Sequence, residues 1–140
     1  SKIALGSAQF GMQYGITNTS SRFTNDDIKE VLRIAKTNDI DTIDTAIAYG
    51  ESEIRLGKHD LEGFKIITKI PKQEQKSKSS QVWIASKLEE SLKNLKVESL
   101  YCLHLHNPKD ILSSEGKKIV LQLKELKKNG LIQNFHQQDR

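Results

Sequence analysis

The chain has 140 residues, 36% hydrophobic and 29% charged, a composition that fits one soluble domain with a single core. No apolar run approaches the roughly 18 residues needed to cross a bilayer, and the N-terminus lacks the basic-then-apolar layout of a signal peptide. A cytoplasmic protein without a membrane partner is expected. The net charge of +4 comes largely from lysines scattered over helix faces and from the loop 72–80, with no aromatic residues interleaved. That pattern reads as solvated surface and not as a nucleic-acid interface, though it leaves attraction to a phosphorylated ligand open. The single cysteine, Cys102, excludes an internal disulfide and a thiolate-built metal site, and reads as a small buried hydrophobe.

Along the chain, strand and helix patterns alternate. Lys2 to Ala8 reads as a short apolar strand ending in Gly6-Ser7-Ala8. Thr24, with Asp27 three residues on, is a capping sequence, after which Ile28, Val31, Leu32 and Ala35 follow one helix face. Asp41 to Ala46 is a second strand, and Ser52 to Gly57 a helical turn closed by its glycine, with Glu51 and Glu53 charging the N-terminus favourably. Lys65 to Ile70 is a third strand, stopped by Pro71. Ile84, Leu88, Ser91, Leu92 and Leu95 mark a long amphipathic helix between Gln81 and Lys96. Leu100 to His106 is a fourth strand, halted by Asn107-Pro108. Ser114-Glu115 opens a helix with Ile119, Val120, Leu123 and Leu126 on one side, and Asn129-Gly130 ends it.

Such alternation is the pattern of parallel βαβ units, and four can be counted. Right-handed crossovers then bring all strand C-terminal ends to one face of the fold, where Asp44, Lys69 and His106 sit. In the third strand Lys69 shares a face with Ile67. In the fourth, His106 shares one with His104 and Cys102, while Tyr101, Leu103 and Leu105 take the other. If the former face lines a barrel interior, Lys69 and His106 point into its mouth beside Asp44 and beside Tyr49 from the loop that follows it.

Those four groups suit proton transfer to a carbonyl oxygen. A phenol has an ordinary pKa near 10, and an adjacent ammonium favours the phenolate and lowers it. Lys69 could supply that charge, Asp44 could keep Lys69 protonated, and a neutral His106 could donate a hydrogen bond to a substrate carbonyl. His104, one layer deeper, reads as a hydrogen-bonded core histidine, and Met12, Trp83 and Phe64 as packing residues. A rival reading makes His104, His106 and Asp44 ligands of a divalent metal, but the Lys69 cation would stand beside the ion, and no metal is expected.

The segments Leu5-Gly6-Ser7-Ala8-Gln9-Phe10-Gly11, Ile43 to Gly57, Thr68-Lys69 and Leu103-His104-Leu105-His106-Asn107-Pro108 resemble the N-terminal half of an aldo-keto reductase, a family of (β/α)8 barrels. The resemblance implies an α/β fold of parallel βα repeats, about half of a TIM barrel. It implies an NADP-dependent oxidoreductase that reduces an aldehyde or ketone with NADPH, with Asp44, Tyr49, Lys69 and His106 as catalytic tetrad and Tyr49 as proton donor. Gly6, Ser7, Ala8 and Asp44 would lie by the nicotinamide ribose. The substrate would be a small carbonyl compound, sugar-derived ones among the candidates, since the stretch from Leu5 to Tyr14 resembles a bacterial subgroup associated with sugar modification.

A full barrel needs about 250 residues, so residues 1–140 are expected to form a partial domain truncated after the fourth βα unit. Residues 130–135 begin like a fifth strand, but 136–140 replace the family's Gly-Val-Ser-Asn type of continuation. Open first and fourth strands would then invite self-association. The alternative function is an inactive remnant or a nucleotide-binding regulatory subunit that keeps the tetrad without turning over.

Overall fold

Five strands alternate with helices in the computed structural model, which describes residues 3–11, 23–73, 79–106 and 113–138, the side chains of residues 106, 137 and 138 excepted. The strands β1 (Ala4–Gly6), β2 (Thr42–Asp44), β3 (Lys65–Ile70), β4 (Leu100–His106) and β5 (Ile132–Gln138) form one sheet in sequence order, every neighbour parallel. Between them lie helices α1 (Ala8–Gly11), α2 (Asn25–Thr37), α3 (Ser52–Leu56), α4 (Ser80–Leu95) and α5 (Ser114–Lys128). An order that never reverses has no switch point. That is the wall of a (β/α)8 barrel and not a doubly wound sheet.

Local chemistry sets the helix limits. At α2 the Thr24 hydroxyl accepts the Asp27 N–H (3.1 Å) while the Asp27 carboxylate accepts the Thr24 N–H (2.8 Å), the reciprocal cap expected from the sequence. Ser79 accepts from the Val82 N–H (3.2 Å) to start α4, and Ser113 from the Gly116 N–H (3.0 Å) to start α5. Gly130, at φ 79°, turns the chain out of α5 in a conformation most side chains resist.

The core lies between sheet and helices. Ile43, Ile66, Ile70, Leu103 and Leu105 face Ile28 and Leu32 of α2, Ile84, Leu88 and Leu95 of α4, and Ile119, Leu123 and Leu126 of α5 in one buried cluster. Burying each such side chain contributes roughly 1.5–3 kcal/mol. The opposite face of the sheet carries Gly6, Asp44, Ile67 and Lys69, with Cys102 and His104 from β4. Cys102 is free and buried, and burial raises its thiol pKa, as fits an inert small hydrophobe.

The structure departs from the sequence-based expectations at the first two strands and at the last. β1 stops at Gly6: the Ser7 N–H completes its parallel pairing by donating to the Asp44 carbonyl (3.1 Å), and the chain then winds into α1 at Ala8. β2 stops at Asp44, although Thr45 and Ile47 still donate to the carbonyls of Ile67 (2.8 Å) and Lys69 (3.2 Å). The segment from residue 130 does form a fifth strand, and backbone pairing with β4 carries it on to Gln138. Among the described residues the edges of the sheet are therefore β1 and β5, not the first and fourth strands. Met12, Asn107-Pro108 and the centre of the loop 72–80 lie outside the described residues.

Candidate functional site

Gly6 pairs with Asp44 in register, so the ends of β1 and β2 open side by side. A cleft of about 330 Å³ there is lined by Gly6, Ser7, Ala8, Gln9, Asp44 and Tyr49. A knot of three fully buried hydroxyls holds its floor. Ser7 donates its hydroxyl to the Asp44 carbonyl (3.0 Å), and the Ser52 hydroxyl lies 3.0 Å from both the carbonyl and the hydroxyl oxygen of Ser7 and 3.1 Å from that of Thr45. The turn after β1, the end of β2 and the start of α3 are thereby fixed to one another. No serine or threonine in this knot is left with an unmet donor, which burial would penalise.

The loop carrying Tyr49 is held on three sides. Tyr49 donates its N–H to Ala46 (3.1 Å), Ser52 donates to the Tyr49 carbonyl (3.1 Å), and the Ile47 N–H reaches Lys69 on β3 (3.2 Å). The third side is α1. A side-chain carbon at Gly11 would lie 2.0 Å from the Tyr49 carbonyl oxygen and 2.3 Å from the Ser52 nitrogen, so only glycine lets α1 rest on this backbone. Arg55, buried, ties the same region outward by donating its guanidinium to the carbonyls of Phe10 and Phe23.

On the inner face of the sheet, Lys69 pairs in register with His104, which pairs with His136. The rings of His104 and His136 stand 5.2 Å apart at 53°. Burial lowers the His104 pKa from its ordinary value, the neighbouring His136 and Lys69 lower it further, and Asp44 opposes them. His104 is therefore neutral near pH 7 and within electrostatic reach of two of the proposed tetrad groups. It is half-buried against another imidazole on the open inner face, in place of the enclosed core position expected for it. His106 ends β4 opposite Gln138; its side chain lies outside the described residues.

Thus Gly6, Ser7, Ala8, Asp44 and Tyr49 meet around one cleft, and Lys69 stands on the strand next to Asp44. Glu53 lies in the first turn of α3, as expected, but it is 4% exposed there and accepts from the Thr68 hydroxyl (2.7 Å) and the Ser91 hydroxyl (3.1 Å), partners the sequence reading did not anticipate. Burial raises its pKa, against the hydrogen bonds of Thr68, Ser91 and Asn94 that favour its ionised form. The sequence did hold a sign of it: Thr68 and Ser91 occupy apolar positions of β3 and α4, and two buried hydroxyls need a partner. Among the described residues, no three His, Cys, Asp or Glu side chains come together as a metal-binding set.

A parallel sheet without reversal, with polar side chains gathered where its strands end, defines the class as part of a (β/α)8 barrel. The profile of the Aldo/keto reductase family matches residues 2–135, and the chain belongs to that family. Among solved structures it is similar to a protein described as an aldo-keto reductase from Pseudomonas aeruginosa, at 29% identity and TM-score 0.79, covering 96% of this chain and 54% of that one. It is also similar to the glycerol dehydrogenase of Gluconobacter oxydans, at 25% identity and TM-score 0.65, covering 96% and 43%. The holo form of an aldo-keto reductase from Bacillus halodurans shares the fold at 18% identity and TM-score 0.70, covering 96% and 45%. The chain spans about half the length of these structures. Comparison with curated protein sequences finds no match.

Proposed function

We propose that this chain carries the catalytic half of an aldo-keto reductase, an oxidoreductase that reduces an aldehyde or ketone with NADPH. Residues 1–140 are read as one partial reductase domain of four βα units and a fifth strand. The observation that carries the reading is the cleft bounded by the Gly6-Ser7-Ala8 turn, Asp44 and Tyr49 at the strand C-terminal ends.

In this reading Tyr49 gives its phenolic proton to the carbonyl oxygen. Lys69 lowers the cost of losing that proton, and Asp44 keeps Lys69 charged. His106 donates a hydrogen bond that orients the carbonyl. NADPH, when bound, supplies a hydride to the carbonyl carbon, so that an alcohol and NADP⁺ result. The donor set fits such a cofactor: a side-chain carbon built at Gly6 meets nothing within 4 Å, leaving room above the turn for a ribose, with Asp44 beside it for the ribose hydroxyls. Ser7 and Ala8 complete that wall.

The substrate class is a small carbonyl compound, and sugar-derived ones are favoured by similarity to a protein named glycerol dehydrogenase. A cytoplasmic location belongs to the same reading; among the described residues no helix is long and apolar enough to cross a membrane. The β1 and β5 edges, unpaired among the described residues, favour self-association.

The second reading is an inactive remnant or a nucleotide-binding regulatory subunit of the same family, which keeps Asp44, Tyr49, Lys69 and His106 without turning over. Two experiments decide. Residues 1–135 joined to the second half of that relative should oxidise NADPH with an aromatic aldehyde and lose about 10²–10⁴-fold in Tyr49→Phe; an unchanged rate in that variant would sink the assignment. For the 140 residues alone no turnover is expected, and a nucleotide titration then separates a binding subunit, which saturates, from a remnant, which does not.

A further inference from the structure

Helix α2 and the segment after α3 enclose a second groove, of about 450 Å³, that shares no residue with the cleft at the strand ends. Its polar lining is Lys29, Arg33 and Lys36 from α2 and Lys58, His59 and Asp60 from the connection to β3, over the buried Leu32. Four cations thus face one carboxylate, and that carboxylate already accepts the Glu62 N–H (3.0 Å). Arg33 is committed to Glu30 (Nε to Oε2, 3.1 Å), and the Lys36 ammonium sits 5.2 Å over the Phe64 ring. Lys29 and Lys58 have no ion-pair partner among the described residues. Between them His59 keeps its Nε2 out of solvent with no hydrogen-bond partner among the described residues. Such a buried unmet group is costly, and here it stands amid excess positive charge.

We propose that this groove binds a phosphate-type oxyanion carried by a small phosphorylated molecule, Lys29 and Lys58 supplying the charge and His59 Nε2 a directed hydrogen bond after a modest turn of its ring. The groups facing His59 agree with this. Burial is the first cause that lowers its pKa, and Lys29 of α2, Arg55 of α3 and the adjacent Lys58 lower it further, with Asp26 of α2 opposing. A bound anion would reverse that field. A long nucleic acid is disfavoured, because no Phe, Tyr or Trp side chain lines the groove for base stacking and its volume is that of a small-molecule site.

The test follows the His59 ring protons by NMR in the intact chain while inorganic phosphate is added at constant ionic strength, with chloride as control. Phosphate should give a saturable shift and raise the His59 pKa; chloride should give neither. Lys29→Ala with Lys58→Ala should weaken binding at least about tenfold, roughly 1.4 kcal/mol, whereas Lys58→Arg should retain it. Both lysines are exposed, so the variants should fold, which circular dichroism checks. Equal, unsaturable shifts with phosphate and chloride would overturn the proposal, as would undiminished binding in the double variant. Saturation by heparin or RNA but not by phosphate would overturn it in favour of a polyanion surface. None of these outcomes depends on reductase activity.

Discussion

The hydroxyl of Ser52 lies 3.0 Å from the carbonyl oxygen of Ser7, joining the first turn of α3 to the turn after β1 across 45 residues of sequence. Both residues are fully buried, as is Thr45 on the third side. Removing this one oxygen leaves the Ser7 and Thr45 groups facing a dry gap, so the penalty is that of unmet polar atoms and exceeds the value of an ordinary hydrogen bond. Ser52→Ala should destabilise the chain by about 1–3 kcal/mol, read from the urea midpoint. An effect within experimental error would mean that the knot does not fix the cleft floor.

Two glycines near the cleft should behave oppositely when replaced by alanine. At Gly11 the added carbon would collide with the backbone of Tyr49 and Ser52, at 2.0 and 2.3 Å, and neither can swing aside as a flexible side chain could. Gly11→Ala should cost about 1–3 kcal/mol or more and displace the Tyr49 loop. At Gly6 the same carbon meets nothing within 4 Å, so Gly6→Ala should leave the melting temperature nearly unchanged while filling part of the cleft and weakening nucleotide binding. Thermal unfolding of both variants, with a nucleotide titration of Gly6→Ala, separates the two roles.

Glu53 makes stability depend on pH in an unusual direction for a carboxylate. Its folded pKa is raised by burial, so within the window above the ordinary glutamate value the folded state holds a proton that the unfolded chain has released. The slope of stability with pH is then negative: the contribution is complete below the ordinary value and is lost as pH rises through the folded pKa. Glu53→Gln keeps a hydrogen-bonding amide beside Thr68 and Ser91 but cannot ionise. Urea midpoints taken from pH 4 to pH 7 should fall less steeply in the variant than in the parent chain, and parallel curves would show that Glu53 does not titrate there.

Periodicity made most of the barrel wall legible. The apolar stripes of α2, α4 and α5 and the alternation in β3 and β4 are direct prints of burial on one side, and the structure keeps those faces. What escaped was set by backbone or by partners distant in sequence. Gly57 reads as a glycine needed to close α3, yet its φ of −63° suits any residue; it is glycine because a side-chain carbon would lie 2.0 Å from the Asn94 carbonyl oxygen on α4. The four residues of α1 are too few to show a period. The extent of β5 comes from its pairing with β4, since Gln133, Asn134, His136 and the glutamines after it carry no apolar alternation. Asp44, Tyr49, Ser52 and Glu53 all belong to the segment legible as a motif, whereas the burial of Ser52, Glu53 and Arg55 and their partners in the turn after β1, on α1, β3 and α4 and at Phe23 are not, because those partners are distant in sequence.

His104 offers the last test, with the opposite sign to Glu53. Its folded pKa is depressed by burial, His136 and Lys69 against the pull of Asp44, so below about pH 6.5 the unfolded chain takes up a proton that the folded state resists. Stability is therefore full above the ordinary histidine value and is lost as pH falls through the folded pKa. His59 is lowered too and adds a slope of the same sign, so the two must be separated by substitution. His104→Gln should remove one part of the acid-side loss between pH 7 and pH 5, and His59→Gln another. The His136 ring at 5.2 Å supplies a finer check. In His136→Gln the charge that opposes His104 protonation is gone, so the His104 ring should titrate at higher pH than in the parent chain. An NMR titration of its ring protons that shows no rise would mean that the two imidazoles do not interact on the inner face of the sheet.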